Sequence, residues 1–106
     1  IDQGFELESS SCDRNAISRY IKSRIRALQT CYERELKRNP SLKGKLVVRF
    51  LIGEKGRVSE IEFEEDTLGN SAVVSCIRSN IRLWMFPIKD NECPVSYPIV
   101  FMPSGS

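Results

Sequence analysis

Histidine is absent from this chain of 106 residues. That removes the most versatile general base and the commonest metal ligand, and it leaves any cysteine thiol without an imidazole to activate it. No glycine-rich phosphate loop and no nucleophile motif appears either, so the sequence reads as non-enzymatic, with no catalytic residue, metal or cofactor. No apolar run approaches the length needed to cross a bilayer. The opening Ile1-Asp2-Gln3-Gly4 lacks the features of a secretory leader, so export and any membrane anchor are expected to be encoded upstream. A net charge of +2 is too small to point to nucleic acid.

Four cysteines stand out against these absences: Cys12, Cys31, Cys76 and Cys93. Zinc sites bring their ligands in close pairs, two to four residues apart, and none of these cysteines is so placed. An even count in a small domain reads instead as two disulfides, which places the chain in an oxidising compartment. The plain alternative is a set of inert buried thiols. Length and composition are those of one ordinary globular domain. Residues 1–11 read as a polar N-terminal segment, 12–103 as the domain and 104–106 as a tail.

Along the domain, Ser11 or Asp13 is a candidate N-cap. Ile17, Ile21, Ile25, Leu28, Tyr32 and Leu36 then follow spacings of three and four, one apolar stripe of a long helix that Asn39-Pro40 ends. Leu46, Val48, Phe50 and Ile52 alternate as a strand, and Gly53-Glu54-Lys55-Gly56 turns it into a hairpin. The returning strand, Arg57 to Glu65, has a parity fault: Val58 is out of phase with Ile61 and Phe63. A β-bulge near Ser59-Glu60 would put all three on one face. Asn70-Ser71 opens a second helix with Val73, Val74, Ile77, Ile81 and Trp84 on its apolar face, stopped by Phe86-Pro87. A polar loop, Lys89 to Glu92, precedes the last strand, Val95 to Phe101, in which Pro98 marks a sheet edge. The expected fold class is α+β, in the order α-β-β-α-β, with a three-stranded antiparallel sheet covered on one face by two helices.

This layout limits the disulfides. Cys12 and Cys31 would lie about 28 Å apart on one continuous helix, too far to bond. Of the two remaining schemes, Cys31–Cys76 with Cys12–Cys93 is favoured, because Cys31 and Cys76 both border apolar stripes that pack on the same sheet face. A loop of ~45 residues closed this way is worth about 4 kcal/mol in the chain-entropy account.

The ordered series Cys31-Tyr32-Glu33, Leu36, Pro40, Leu42, Gly44, Val48-x-Phe50-x-Ile52, Gly56-x-Val58, Asn70, Cys76-Ile77, Trp84-x-Phe86-Pro87 and Tyr97-Pro98-x-x-Phe101 resembles the AgmX/PglI C-terminal domain family. These are TonB-like modules of gliding-motility and related envelope proteins, and the match runs over about residues 15–102. The resemblance implies a periplasmic domain of an inner-membrane-anchored protein. It further implies a periplasmic or outer-membrane protein segment as partner, and an inner-membrane proton-driven motor acting through the full-length protein. It also supports Cys31–Cys76, whereas Cys12 and Cys93 lie outside the motif.

TonB-like domains offer their last strand to a partner by β-augmentation, so the expected partner-binding residues are Ser96, Tyr97, Pro98, Ile99, Val100 and Phe101. Val95, Tyr97, Ile99 and Phe101 share the core face and Ser96, Pro98 and Val100 the other. The plain alternative is an edge that proline protects and nothing binds. A second functional reading is an anchor to peptidoglycan or another envelope polymer through the basic first helix, at Arg19, Lys22 and Arg26, whose ordinary reading is a solvated face. Trp84, Phe86, Tyr32 and Tyr97 read as core. Glu60, Glu62, Glu64, Glu65 and Asp66 read as solvated edge charges.

Overall fold

The computed structural model describes residues 6–7, 12–88 and 92–103. The expectations for the Lys89–Glu92 loop at 89–91, for Ser11 as a cap and for the 104–106 tail fall outside them. The order of elements is β1 (Glu6–Leu7), α1 (Arg14–Leu36), β2 (Gly44–Ile52), β3 (Val58–Asp66), α2 (Ser71–Arg82) and β4 (Cys93–Phe101). The α+β class and the α-β-β-α-β succession of the long elements are as expected. One element is additional: the two residues of β1 give the sheet a fourth strand, in the order β1-β4-β2-β3.

Local chemistry sets the helix starts. Asp13 caps α1, its carboxylate accepting from the Ala16 N–H at 3.0 Å, and Asn70 does the same for α2 through the Val73 N–H. The second helix ends at Arg82, two residues sooner than its apolar spacing suggests. Leu83 is the C-cap, and Trp84 lies just beyond it with its N–H donating to the Ile81 carbonyl at 3.0 Å. In the β2–β3 turn, Gly56 has φ 84°, and its carbonyl accepts from the Phe86 N–H at 2.9 Å. The parity fault in β3 is resolved by a bulge. Arg49 pairs with Glu62 but Leu51 pairs with Ser59, and Glu60 takes up the extra length at φ 52°. Val58 is buried as a result, with Ile61 and Phe63 packed half-buried against the core.

Both helices lie on one face of the sheet, over Leu46, Val48, Phe50, Ile52, Val95, Tyr97, Ile99 and Phe101. Trp84 and Phe86 are buried beside Phe50 and Tyr20, with the Tyr20 and Phe86 ring centres 4.5 Å apart. They close the core and are not a surface patch. Two disulfides fix the layers: Cys31–Cys76 joins α1 to α2 and Cys12–Cys93 joins the start of α1 to the start of β4, with Cα separations of 5.8 and 6.0 Å. Two disulfides in one small domain point to an oxidising, extracytoplasmic compartment. No described helix is long and apolar enough to cross a membrane.

Candidate functional site: the outer edge of the last strand

β4 alternates strictly. Cys93, Val95, Tyr97, Ile99 and Phe101 are buried under the helices, while Pro94, Ser96 and Pro98 are half-buried on the opposite face and Val100 is 63% exposed. On its inner side β4 pairs with β2 along its whole length, from Ile52↔Cys93 to Gly44↔Phe101, without a register shift. On its outer side it meets, among the described residues, β1 alone, at Glu6↔Ser96 and Leu7↔Val95. Among the described residues the last strand is therefore an edge over part of its length, not all of it as Pro98 alone suggests.

Proline decides what that edge offers. In an antiparallel ladder the N–H and C=O of one residue point to the same side, and successive residues alternate sides. Pro94 and Pro98 have no N–H, and they cost the β2–β4 ladder nothing only if their parity faces outward. Ser96 and Val100 share that parity. β1 sits opposite Ser96, so what remains is the carbonyl of Pro98 and the N–H and carbonyl of Val100. Neither residue faces a strand on its outer side among the described residues.

Helix α1 runs alongside this edge. The Cys12–Cys93 bond holds one end, and Tyr32 stacks on Phe101 with ring centres 4.8 Å apart at the other. The Tyr32 hydroxyl donates to the Leu42 carbonyl, and burial raises its pKa above the ordinary value of 10.0. Between helix and strand lies a groove of about 740 Å³, walled by Ile25, Arg26, Gln29, Thr30 and Glu33 on α1 and by residues 97–100 of β4. Arg26 and Glu33 give its helix wall one charge of each sign. Gln29 donates to the Glu33 carboxylate at 3.4 Å and the Thr30 hydroxyl donates to the Arg26 carbonyl at 3.0 Å. An open groove beside strand backbone with unused polar groups is suited to holding an extended chain. Among the described residues no cluster of acidic or cysteine side chains could hold a metal ion.

The expected site residues separate on this geometry. Pro98, Ile99 and Val100 lie together at the groove, with Tyr97 at its floor. Ser96 lies opposite β1, and its hydroxyl donates to Glu64 at 2.6 Å. Phe101 is buried against Tyr32. Arg19, Lys22 and Arg26 are exposed on α1, and of these only Arg26 reaches the groove. Glu60, Glu62, Glu64, Glu65 and Asp66 are all exposed on β3, where Glu64 lies 3.6 Å from Arg49. Sequence reasoning missed the helix wall. Ile25 belongs to the apolar stripe of α1 and is only half-buried, and Gln29 lies four residues on.

No family model matches the sequence, and no curated protein matches it. The AgmX/PglI assignment therefore remains a resemblance carried by the motifs. Among solved structures the chain is similar to the solution structure of the Helicobacter pylori TonB C-terminal domain. The TM-score is 0.48 at 18% identity, covering 92% of this chain and 100% of that one.

Proposed function

We propose that this chain is a non-enzymatic, extracytoplasmic protein-interaction domain that receives an extended segment of another protein along Pro98–Val100, in the groove between β4 and α1. The single observation that carries this reading is the edge of β4 beside that groove, where the parity argued from Pro94 and Pro98 directs the Val100 N–H and two carbonyls outward. The motif resemblance makes the module TonB-like and of the gliding-motility or envelope energy-transducing kind. Its partner is then a periplasmic or outer-membrane protein segment, with an inner-membrane motor acting through the full-length protein. The two disulfides support the compartment and stiffen the groove, since Cys12–Cys93 ties its helix to its strand.

Amide-shift mapping tests this directly. Extended peptides from periplasmic segments of outer-membrane proteins should move the amides of residues 97–101 and of Ile25 to Glu33. The polymer-anchor reading has its own observation, the exposure of Arg19, Lys22 and Arg26 along one stripe of α1. Binding to isolated cell-wall sacculi that disappears when these three are neutralised, with no peptide effect on β4, would replace the first reading with the second.

A further inference from the structure

We propose that the segment 83–87, which follows α2, is a wedge that docks the domain on an anionic phospholipid surface. Among the described residues the large exposed apolar side chains fall in two places. Val100 and Met102 lie at the end of β4. Leu83 and Met85, 83% and 49% exposed, stand together after α2 beside the exposed Pro87. Trp84 and Phe86 alternate with them and are buried, so the outward side chains project from an aromatic base fixed in the core.

The backbone of this segment selects the kind of partner. The Leu83 N–H donates to the Asn80 carbonyl at 3.1 Å and the Trp84 N–H to the Ile81 carbonyl at 3.0 Å. The Met85 N–H donates to the Tyr20 hydroxyl at 2.9 Å, and the Phe86 N–H to the Gly56 carbonyl at 2.9 Å. Pro87 has no N–H to place. An incoming strand would find no donor here to pair with. A headgroup–acyl boundary, by contrast, can take the segment in without leaving any of its N–H groups unsatisfied.

Charge around the wedge fits an anionic surface. Arg57 lies opposite Met85 in an antiparallel bridge, so the two side chains share a face. Arg82 precedes Leu83, and Lys55 sits in the β2–β3 turn. The Arg24 guanidinium lies 4.8 Å from the ring centre of Tyr20, whose hydroxyl holds Met85. All four cations are exposed, and among the described residues none is ion-paired. Across the segments 20–24, 53–57 and 82–87 the one carboxylate is Glu54. Lipid phosphates draw such a rim to the surface, and burial of Leu83 and Met85 then holds it there. The wedge stands at the Ile52 end of β2 and Val100 at the Lys45 end, about 24 Å along the strand. Docking therefore leaves the β4 groove clear; that consequence rests on the proposed function, whereas the docking does not.

Sedimentation with vesicles of equal parts phosphatidylcholine and phosphatidylglycerol tests the contact. The unaltered domain should pellet with them, stay in solution with phosphatidylcholine alone, and bind less as salt rises. Leu83→Ser with Met85→Ser should weaken binding about tenfold or more at unchanged urea midpoint, since both side chains are exposed. Arg57→Gln with Arg82→Gln should weaken it comparably and flatten the salt dependence. In nanodiscs of the same lipids, a spin-labelled phospholipid should broaden the amides of Leu83 to Phe86 more than those of residues 97–101. No binding to the anionic vesicles at low salt overturns the proposal. So does binding that Leu83→Ser with Met85→Ser leaves alone, or that is lost instead when Arg19 and Arg26 are neutralised. Broadening centred on residues 97–101 overturns it as well. A dimer in sedimentation that the Leu83 and Met85 substitutions abolish, without vesicle binding, replaces the lipid with a second copy. Vesicle binding without any peptide effect on β4 keeps the wedge and removes the partner reading, and peptide binding without vesicle binding does the reverse.

Discussion

The two sides of the sheet close themselves to other strands by different means. On one side β3 is exposed and strongly acidic, with Glu60, Glu62, Glu64, Glu65 and Asp66 in solvent, and its pairing with β2 shifts register twice. Charge repels an incoming strand and irregular backbone denies it a template, so that side is closed along its length. On the other side β4 is uncharged after Cys93, and its pairing with β2 is unbroken over nine residues. Among the described residues it is guarded by two prolines and a two-residue strand, and a groove runs beside residues 97–100. A sheet that needed both edges silent would treat them alike. The asymmetry supports the proposal that β4, and not β3, is the side that receives a partner strand.

The largest effect should come from releasing the helix that walls the β4 groove. The Cys12–Cys93 bond closes a loop with a sequence separation of 81, whereas Cys31–Cys76 closes one of 45 within it and joins the helices to each other. Replacing Cys12 and Cys93 together with alanine should lower unfolding free energy by about 2–4 kcal/mol in urea titrations. It should also broaden the amide signals of residues 97–101 more than those of β3. Equal broadening on both edges would mean that the disulfide stabilises the whole domain without shaping the groove.

Next in size is Gly56→Ala, at the turn that serves the β3 side. A Cβ there would come within 2.2 Å of the Phe86 carbonyl oxygen, and φ at 84° is already costly for any residue but glycine. Accommodating it would also break the Phe86 N–H bond to the Gly56 carbonyl. A loss of about 2–3 kcal/mol is expected in the same assay. It should come without loss of the Val100 environment, since the turn is remote from the β4 groove.

How these features relate to the sequence follows from their range. The caps at Asp13 and Asn70, the Gly56 turn and the Glu60 bulge each arise from chemistry within a few residues, and each is readable in the chain. The disulfide pairing is readable one level up, because helix length excludes one scheme and shared apolar faces favour one of the other two. What sequence does not disclose depends on contacts between distant segments. Strand β1, described at Glu6 and Leu7, is recognised by its pairing with residues 96 and 95. Periodicity puts Ile25 in the same stripe as Ile21 and Leu28, yet Ile21 and Leu28 are each 1% exposed while Ile25 is half-buried at the groove. A helical stripe reports which side faces the sheet, but not where the sheet stops covering it. The open edge was legible in Pro98, but its length was not, since that depends on β1.

A sharper cut at the β4 side is Val100→Pro, which removes the last outward N–H. The ladder with β2 should lose no bond, so stability should change by less than about 1 kcal/mol, while peptide-induced shifts over residues 97–101 should vanish. A urea midpoint falling as far as that of Gly56→Ala would show instead that the Val100 N–H faces β2, and the parity assigned to the edge would be reversed.

The smallest effect tests whether the β3 side is irregular by backbone necessity. Glu60 holds φ 52° in the bulge, a conformation that costs a side-chain-bearing residue about 1 kcal/mol and glycine almost nothing. Glu60→Gly relieves that cost but gives the unfolded chain more freedom, so the net change should be a gain of no more than about 0.5 kcal/mol. Glu62→Gly, two residues along and paired with Arg49 in regular ladder, has nothing to relieve and should lose about 0.5–1 kcal/mol. Glu60→Gln removes the charge alone and serves as the reference for both. A loss at Glu60→Gly equal to that at Glu62→Gly would mean the bulge is not held by the strain at this residue. In that case the burial of Val58 together with Ile61 and Phe63 sets the register of β3, and the irregular edge is a by-product of the core.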